Sequence, residues 1–359
     1  MTKELRITYD RELSDILNKS ELSRDDIIYL LNLSDKNDIQ MLFNKADEVR
    51  KKFCGDEVHL RGIIEFSNFC EQNCVYCGLR KSNNQLERYR MSVDEIIETS
   101  KKIYSAGIKT VVLQSGEDSH YTKDDITKII KSIKQSCSVA ITLSLGERSF
   151  DEYDEWISAG ADRYLLKHET ANEKLYSALH SKQKLSERVA HIKYLKSIGF
   201  QAGSGNIIGF PGQTIADIAD DIILCKELDC DMCSFSPFIP SPETPMKNIP
   251  PADLTLTLKT MAVARIVLKN VHIPATTALS TLTAEGRKLG LTVGANVIMP
   301  NFTPDQYKDK YRIYANKKTY DPIQYVEELK QMIHSMGRKV SEEKGHSLKP
   351  IIKSFNSAT

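Results

Sequence analysis

From Val58 onward the chain alternates between two apolar patterns. Short runs rich in apolar and β-branched residues occur at 60–66, 110–114, 140–145, 163–166, 201–208, 231–235, 273–277 and 295–299. Most are separated by segments in which apolar residues recur at the helical period: 92–106, 121–135, 150–159, 186–198, 215–228 and 254–267. The short runs read as strands and the periodic segments as amphipathic helices. Glycine follows a helical segment at Ala106-Gly107, Ala159-Gly160 and Ile198-Gly199, the place of a helix C-cap. Strands alternating with helices predict βαβ units and a parallel sheet. Eight runs over about 240 residues fit an α/β fold of the complete (β/α)8 TIM-barrel kind. An open doubly wound sheet is the alternative. Its Gly-x-Gly-x-x-Gly fingerprint has no clean match: Gly203-Ser-Gly205-Asn-Ile-Ile-Gly209 is one residue too long and lies inside a strand run.

Residues 1–55 read as an N-terminal helical extension, expected to cover one end of the barrel. Ser23 is an N-cap with Asp26 at the third helical position, and Ile27, Ile28, Leu30 and Leu31 form the apolar face. A second helix is expected over 38–52. The barrel is expected over 56–305. Residues 306–359 read as a C-terminal helical segment and tail: Tyr307, Tyr311, Tyr314 and Tyr320 in a Lys/Asp-rich stretch, a helix over 322–336, then a basic, mobile tail.

Composition narrows the function classes. A net charge of +1 over 359 residues gives no reason to expect nucleic acid or a membrane surface as partner. No run approaches the roughly 20 apolar residues of a membrane span. The first residues lack a signal-peptide apolar core. The eight cysteines are therefore expected as reduced thiols or metal ligands in a cytoplasmic protein.

Candidate chemistry collects at the strand ends. The first run leads into Cys70-Glu-Gln-Asn-Cys74-Val-Tyr-Cys77. Thiolates hold iron–sulfur clusters, which need four ligands. Three are offered, so one iron keeps an open position. Structural zinc would want a fourth Cys or His nearby, and none lies between Gly78 and Met91. The C-x3-C-x2-C motif with an aromatic residue, Tyr76, before its last cysteine is the signature of the radical S-adenosylmethionine (SAM) superfamily. The second run ends Gln114-Ser115-Gly116-Glu117-Asp118, where a small Ser-Gly lets carbonyls approach an ammonium. The third presents Thr142 and Ser144 to one side, and the fourth Arg163, Lys167 and Glu169. Arg188 opens the next helix. Gly203, Gly205 and Gly209 are expected to leave room for a bound group, and 237–245 is a Pro-rich wall. The last runs end at Thr276-Thr277 and at Met299, which reads as core or as a ligand contact. Cys225, Cys230 and Cys233 form a second trio, read as small buried apolar residues. Cys54 and Cys137 stand alone, and alternation turns His168 away from Glu169.

Over about residues 20–340 the chain resembles the HydE family, radical SAM maturases of FeFe-hydrogenase. The likeness rests on Gly55-Asp-Glu-Val-His59, Ile64-Glu-Phe-Ser67, Asn73-Cys-Val-Tyr-Cys-Gly-Leu-Arg80, Arg88-Tyr-Arg-Met91, Leu113-Gln-Ser-Gly-Glu-Asp118, Thr142-Leu-Ser-Leu-Gly-Glu147, Gly160-Ala-Asp-Arg-Tyr-Leu-Leu166, His168-Glu-Thr170, Pro211-Gly-Gln-Thr214, Pro274-Ala-Thr-Thr277 and Gly294-Ala-Asn-Val-Ile-Met-Pro300. The resemblance implies a 4Fe-4S cluster with three cysteine ligands, Cys70, Cys74 and Cys77, and an open iron that binds SAM. It implies SAM contacts from Ser144, Glu169, Arg188 and the Ser115-Gly116-Glu117 turn, with Tyr76 and Met299 beside the cofactor. It implies a substrate bearing a thiol-derived sulfur on an iron carbonyl cyanide unit, met by Arg163, Lys167, Thr276 and Thr277. Other hydrogenase maturases and an electron donor are the implied transient partners. Some family members hold a second cluster on C-terminal cysteines; none follows Met299 here, so no second cluster is expected. A radical SAM enzyme acting on an organic substrate, of the biotin synthase or methylornithine synthase type, is one alternative. A non-catalytic iron–sulfur scaffold is the other.

Overall fold

The computed structural model describes residues 12–316 and 319–349. Helix α1 covers 12–18, followed by α2 (Arg24–Leu31) and α3 (Lys36–Cys54). Ser23 caps α2 as expected. Its hydroxyl accepts the Asp26 N–H at 3.2 Å, and the Asp26 carboxylate accepts the Ser23 N–H at 2.8 Å.

Strands β1 (Glu57–Leu60) and β2 (Gly62–Ser67) make up the first barrel position. Next come β3 (Thr110–Ser115), β4 (Ala140–Ser144), β5 (Arg163–Leu165), β6 (Gln201–Ile208) and β7 (Met232–Pro237). From β2 to β7 they pair in chain order, all parallel. The helices are α4 (Val93–Ser105), α5 (Lys123–Ser136), α6 (Phe150–Ser158), α7 (Glu173–Leu179), α8 (Leu185–Ser197), α9 (Ile215–Glu227), α10 (Leu254–Leu268), α11 (Thr277–Leu282) and α12 (Gly286–Thr292).

Shorter contacts close the ring. The Cys233 N–H donates to the His272 carbonyl and the Ala275 N–H to that of Val297, both at 2.9 Å. Strand β8 (Val297–Ile298) pairs with β1, and the Arg61 and Ile63 N–H groups reach the Ile298 and Pro300 carbonyls, again at 2.9 Å. All eight positions of a (β/α)8 barrel are thus filled. The seventh shrinks to bridges because Pro274 has no N–H to give and Thr277 already starts α11.

Burial holds the helices on. On α5, Ile126, Ile129, Ile130 and Ile133 are fully buried. At about 1.5–3 kcal/mol each, they outweigh the roughly 1 kcal/mol of an N-cap. The N-terminal helices do not cover a barrel end. They pack on the flank, α2 and α3 against α10 and α2 against α9. That sandwiches α10, which is buried almost all round. Lys259 of α10 donates to the Leu31 and Leu33 carbonyls at 2.6 and 2.7 Å, completing the end of α2.

The C-terminal segment also departs from expectation. After α13 (Asp305–Lys308) and α14 (Pro322–Ser335), β9 (Lys339–Val340) pairs with β1. Residues 341–349 then cross the end of the barrel where the strands start. Thr110 and Arg163 donate to the Lys344 carbonyl at 2.8 and 2.7 Å, and His272 Nε2 lies 2.9 Å from the His346 carbonyl. The expected mobile tail is, up to Lys349, a fitted strap. Residues 350–359 lie outside the described residues. Among the described residues, no helix is long and apolar enough to cross a membrane.

Candidate active site

The loop after β2 carries Cys70, Cys74 and Cys77 across the opposite end, where the strands finish. Local bonds fix it. Asn68 Nδ2 donates to the Glu87 and Lys310 carbonyls, both at 2.8 Å. Arg88 donates to four carbonyls, those of Asn68, Leu79, Arg80 and Asn83. The Glu71 N–H donates to the Glu117 carbonyl at 2.8 Å, and Gln72 Nε2 to the Glu117 carboxylate at 2.5 Å.

All three thiols line a cavity of about 350 Å³, together with Tyr76, Ser115, Gly116 and Ser144. Lys167, Glu169, Thr276, Thr277 and Met299 line it too. Burial pushes the Cys70 and Cys74 thiols up and that of Cys77 up to about 12, and neighbouring sulfurs add to the rise for Cys74 and Cys77. Three half-buried thiolates with so little to offset them need a cation; an iron cluster would supply one and reverse the balance. Among the described residues, Cys225, Cys230 and Cys233 form the one trio of possible metal ligands with donor atoms within 4.8 Å of one another. The wider set at 70, 74 and 77 suits a multi-iron cluster rather than a single ion.

Behind the loop, Gly116 is where the chain crowds. A Cβ there would lie 2.1 Å from the Phe69 carbonyl oxygen and 2.7 Å from Cys70 Cβ. Glu169 has a positive φ of 63°, held because its N–H and carbonyl both bond to β6 through Gly205 and Ile207. Its carboxylate Oε2 lies 3.0 Å from Lys167 Nζ, an ion pair that sets the carboxylate on the cavity wall, where it can accept from a ligand hydroxyl. Arg188 is buried behind this wall, 2.7 Å from Glu147 and 3.7 Å from Glu117. Burial works against its charge, but Tyr176, Glu147, Glu117 and Glu169 together hold its pKa above the usual value. Glu117, raised by burial and partly offset by Arg188, braces the cysteine loop; neither it nor Arg188 lines the cavity.

The far wall is built by hydroxyls. Thr276 caps α11, accepting the Leu279 N–H at 3.2 Å, so its own O–H remains a donor. Tyr314 and Tyr320 complete that side, and Pro237, Phe238 and Ile239 form the expected Pro-rich wall.

Several expectations need correction. Arg163 points inward, but from the first residue of β5, so it sits at the strap end. It lines a separate gap of about 10 Å³ with Arg61, Thr142 and His272. Its Nη2 donates to the Lys344 and Gly345 carbonyls at 2.7 and 2.8 Å. Lys167 is neutralised by Glu169, so inward cations do not explain an anionic guest. Nor do the β6 glycines make room for a ligand: a Cβ on Gly205 would lie 1.9 Å from the Ser234 carbonyl, so it admits the neighbouring strand. His168 turns away from the cavity as expected, with Nδ1 2.9 Å from Ser204 Oγ. Two residues escaped the sequence reading. Glu65, inside an apolar strand, lines the cavity and accepts from Asn301 Nδ2 at 2.8 Å; an acid in that run was the available signal. His180 Nδ1 lies 3.3 Å from Cys74 Sγ and stacks on Tyr176, and nothing local in the sequence marked it.

Known proteins share these features. The radical SAM superfamily model matches residues 64–225. The [FeFe] hydrogenase maturase subunit HydE of Thermotoga maritima is 48% identical over 307 residues, 86% of this chain and 88% of that one. The 3-methylornithine synthase of Methanosarcina acetivorans is 28% identical over 80% of this chain and 82% of its own. A crystal structure of methylornithine synthase superposes with a TM-score of 0.81 at 25% identity, covering 92% of this chain and 97% of that one. Radical SAM enzymes use a 4Fe-4S cluster and SAM, and the cysteine loop, the closed barrel and the extent of identity agree: the chain belongs to the HydE family of radical SAM [FeFe]-hydrogenase maturases.

Proposed function

We propose that the protein binds a 4Fe-4S cluster through Cys70, Cys74 and Cys77, cleaves SAM reductively, and serves assembly of the diiron subcluster of FeFe-hydrogenase. The observation that carries this is one cavity lined by three half-buried thiols on one side and a hydroxyl-rich wall on the other. Once bound, the cluster supplies the electron that splits SAM into methionine and the 5′-deoxyadenosyl radical. The chain's own residues bind and orient. The Ser115-Gly116 backbone would hold the SAM ammonium, and Ser144 and the Glu169 carboxylate would hold its hydroxyl and polar groups. Arg188 braces the same side through Glu147 and Glu117. Tyr76, packed on Phe210 at 5.1 Å, closes that side to water.

The family resemblance implies a cysteine-bound iron carbonyl cyanide unit whose sulfur meets the radical. We assign it to the far half of the cavity, where Thr276, Thr277 and Tyr314 offer neutral O–H donors to cyanide and carbonyl ligands. Residues 56–305 are the catalytic barrel, flanked by the extensions 1–55 and 306–359. The protein acts in the cytoplasm with other hydrogenase maturases and an electron donor. Anaerobic reconstitution followed by measurement of 5′-deoxyadenosine under reducing conditions tests the first step. Wild type should form it and Cys74→Ala should not; equal yields would remove the cluster assignment.

A further inference from the structure

Cys225, Cys230 and Cys233 take no part in the cavity at the strand ends. Each is at most 1% exposed, and their sulfurs lie within 4.8 Å of one another. Local structure sets this up. Helix α9 ends at Glu227 with Leu228 as its C-cap, Asp229 turns left-handed (φ 48°), and the Cys230 N–H returns to the Cys225 carbonyl at 3.2 Å. This is a Schellman reversal, in which side chains at these two positions meet. The third sulfur comes from β7, where Cys233 is fixed by its pairing with Ser204 of β6.

Such a seam asks only for apolar side chains, which valine or leucine would supply. Three sulfurs add a soft donor set. Metal–sulfur bonds of about 2.3 Å put thiolates around one ion roughly 4 Å apart, within reach of this arrangement. A multi-iron cluster would hold them wider. Among the described residues, no further His, Cys, Asp or Glu joins the group. Trigonal sulfur with no fourth protein ligand and no exposure suits Cu(I) better than zinc, which closes its structural sites with four ligands.

Charge and access also fit. Lys349 Nζ donates to the Cys230 carbonyl and to the Asp229 carboxylate, both at 2.6 Å, so an ammonium whose charge Asp229 shares lies beside the sulfurs. Cys225 also lines a surface cavity of about 560 Å³ with Lys226, Asp229 and Lys349, which gives an ion a route inward.

We propose that Cys225, Cys230 and Cys233 form a second metal site, separate from the catalytic cluster, that takes one thiophilic d10 ion, Cu(I), in three-sulfur coordination. Binding displaces the thiol protons to solvent. The cluster-loaded protein, titrated anaerobically with Cu(I) against a chromophoric chelator, should take up one equivalent per chain without releasing iron. X-ray absorption should show three sulfurs at about 2.3 Å. Cys230→Ser and Cys233→Val should each weaken uptake at least 100-fold while keeping iron content and SAM cleavage. Should these variants fail to fold, the wild-type copper spectrum decides alone. Copper on fewer than three sulfurs, copper taken at the expense of iron, no stoichiometric uptake, or Zn(II) outcompeting Cu(I) each overturns the proposal.

Discussion

Replacing Gly116 with alanine tests how closely the turn after β3 abuts the cysteine loop. The new Cβ would sit 2.1 Å from the Phe69 carbonyl oxygen and 2.7 Å from Cys70 Cβ. An ordinary carbon–oxygen contact is about 3.3 Å, so something must move by roughly 1 Å. Neither neighbour is the loose end of a side chain. The Gly116 and Glu71 N–H groups tie the same two segments together, to the Ser67 carbonyl at 3.2 Å and the Glu117 carbonyl at 2.8 Å. Overpacking of this kind costs about 1–3 kcal/mol. At about 1.4 kcal/mol per tenfold, the native loop arrangement weakens about fivefold to over a hundredfold. The displaced atom carries Cys70, so the loss should fall on the cluster. Iron per chain after reconstitution and the electron paramagnetic resonance of the reduced cluster, with and without SAM, read it directly. Gly107→Ala is the control: its φ is +83° and no atom lies within 4 Å of the added Cβ. That variant should lose stability to strain and keep its iron. A Gly116→Ala protein with a full cluster and wild-type SAM cleavage would refute the packing argument.

Three further outcomes are expected. Arg163→Met should remove one of two donors from each of the Lys344 and Gly345 carbonyls, which keep Thr110 and Arg61, and lower stability by about 1–3 kcal/mol in all; urea unfolding checks this, while SAM cleavage should stay within twofold of wild type. Glu169→Gln should weaken SAM binding about tenfold and leave iron content unchanged, because Glu169 lines the cavity but is held by Lys167 and β6 rather than by the cysteine loop; equilibrium dialysis of SAM separates the two effects, and lost iron would contradict this placement. Burial, then Arg61, pushes His59 down to about 4, and burial, then Arg61 and His59, holds His272 well below its ordinary 6.5. Unfolded, both take up protons below about 6.5, so their contribution is complete above that pH and is lost as pH falls toward 4, by up to about 1.4 kcal/mol per pH unit for each; denaturant melts from pH 7 to 5 should show the slope, reduced in His59→Gln.

Much of this was legible in the chain. Period-two and helical patterns placed most strands and most helices to within two or three residues, because the barrel buries its strands as apolar runs and most of its helices on one stripe, α10 excepted. The cysteine loop was readable because its ligands are close in sequence. What failed was position along the barrel axis. Alternation shows that Arg163 faces inward, but not that it begins its strand and therefore belongs to the strap end. The strap itself has no apolar period; it is held by side chains from Thr110, Arg163 and His272, scattered along the chain. His180 and the closeness of Cys225, Cys230 and Cys233 are likewise tertiary facts. Glycine misled in a different way, since the space at Gly205 belongs to a neighbouring strand.

The most direct test of the hydrogenase-maturase assignment is activation of FeFe-hydrogenase. Hydrogenase lacking its diiron subcluster is incubated anaerobically with SAM, reductant, partner maturases and either wild-type protein or Cys74→Ala. Hydrogen evolution should appear with wild type and stay at background with the variant. Wild-type protein that cleaves SAM yet yields no active hydrogenase would contradict the account and direct attention to an organic substrate for the same cavity.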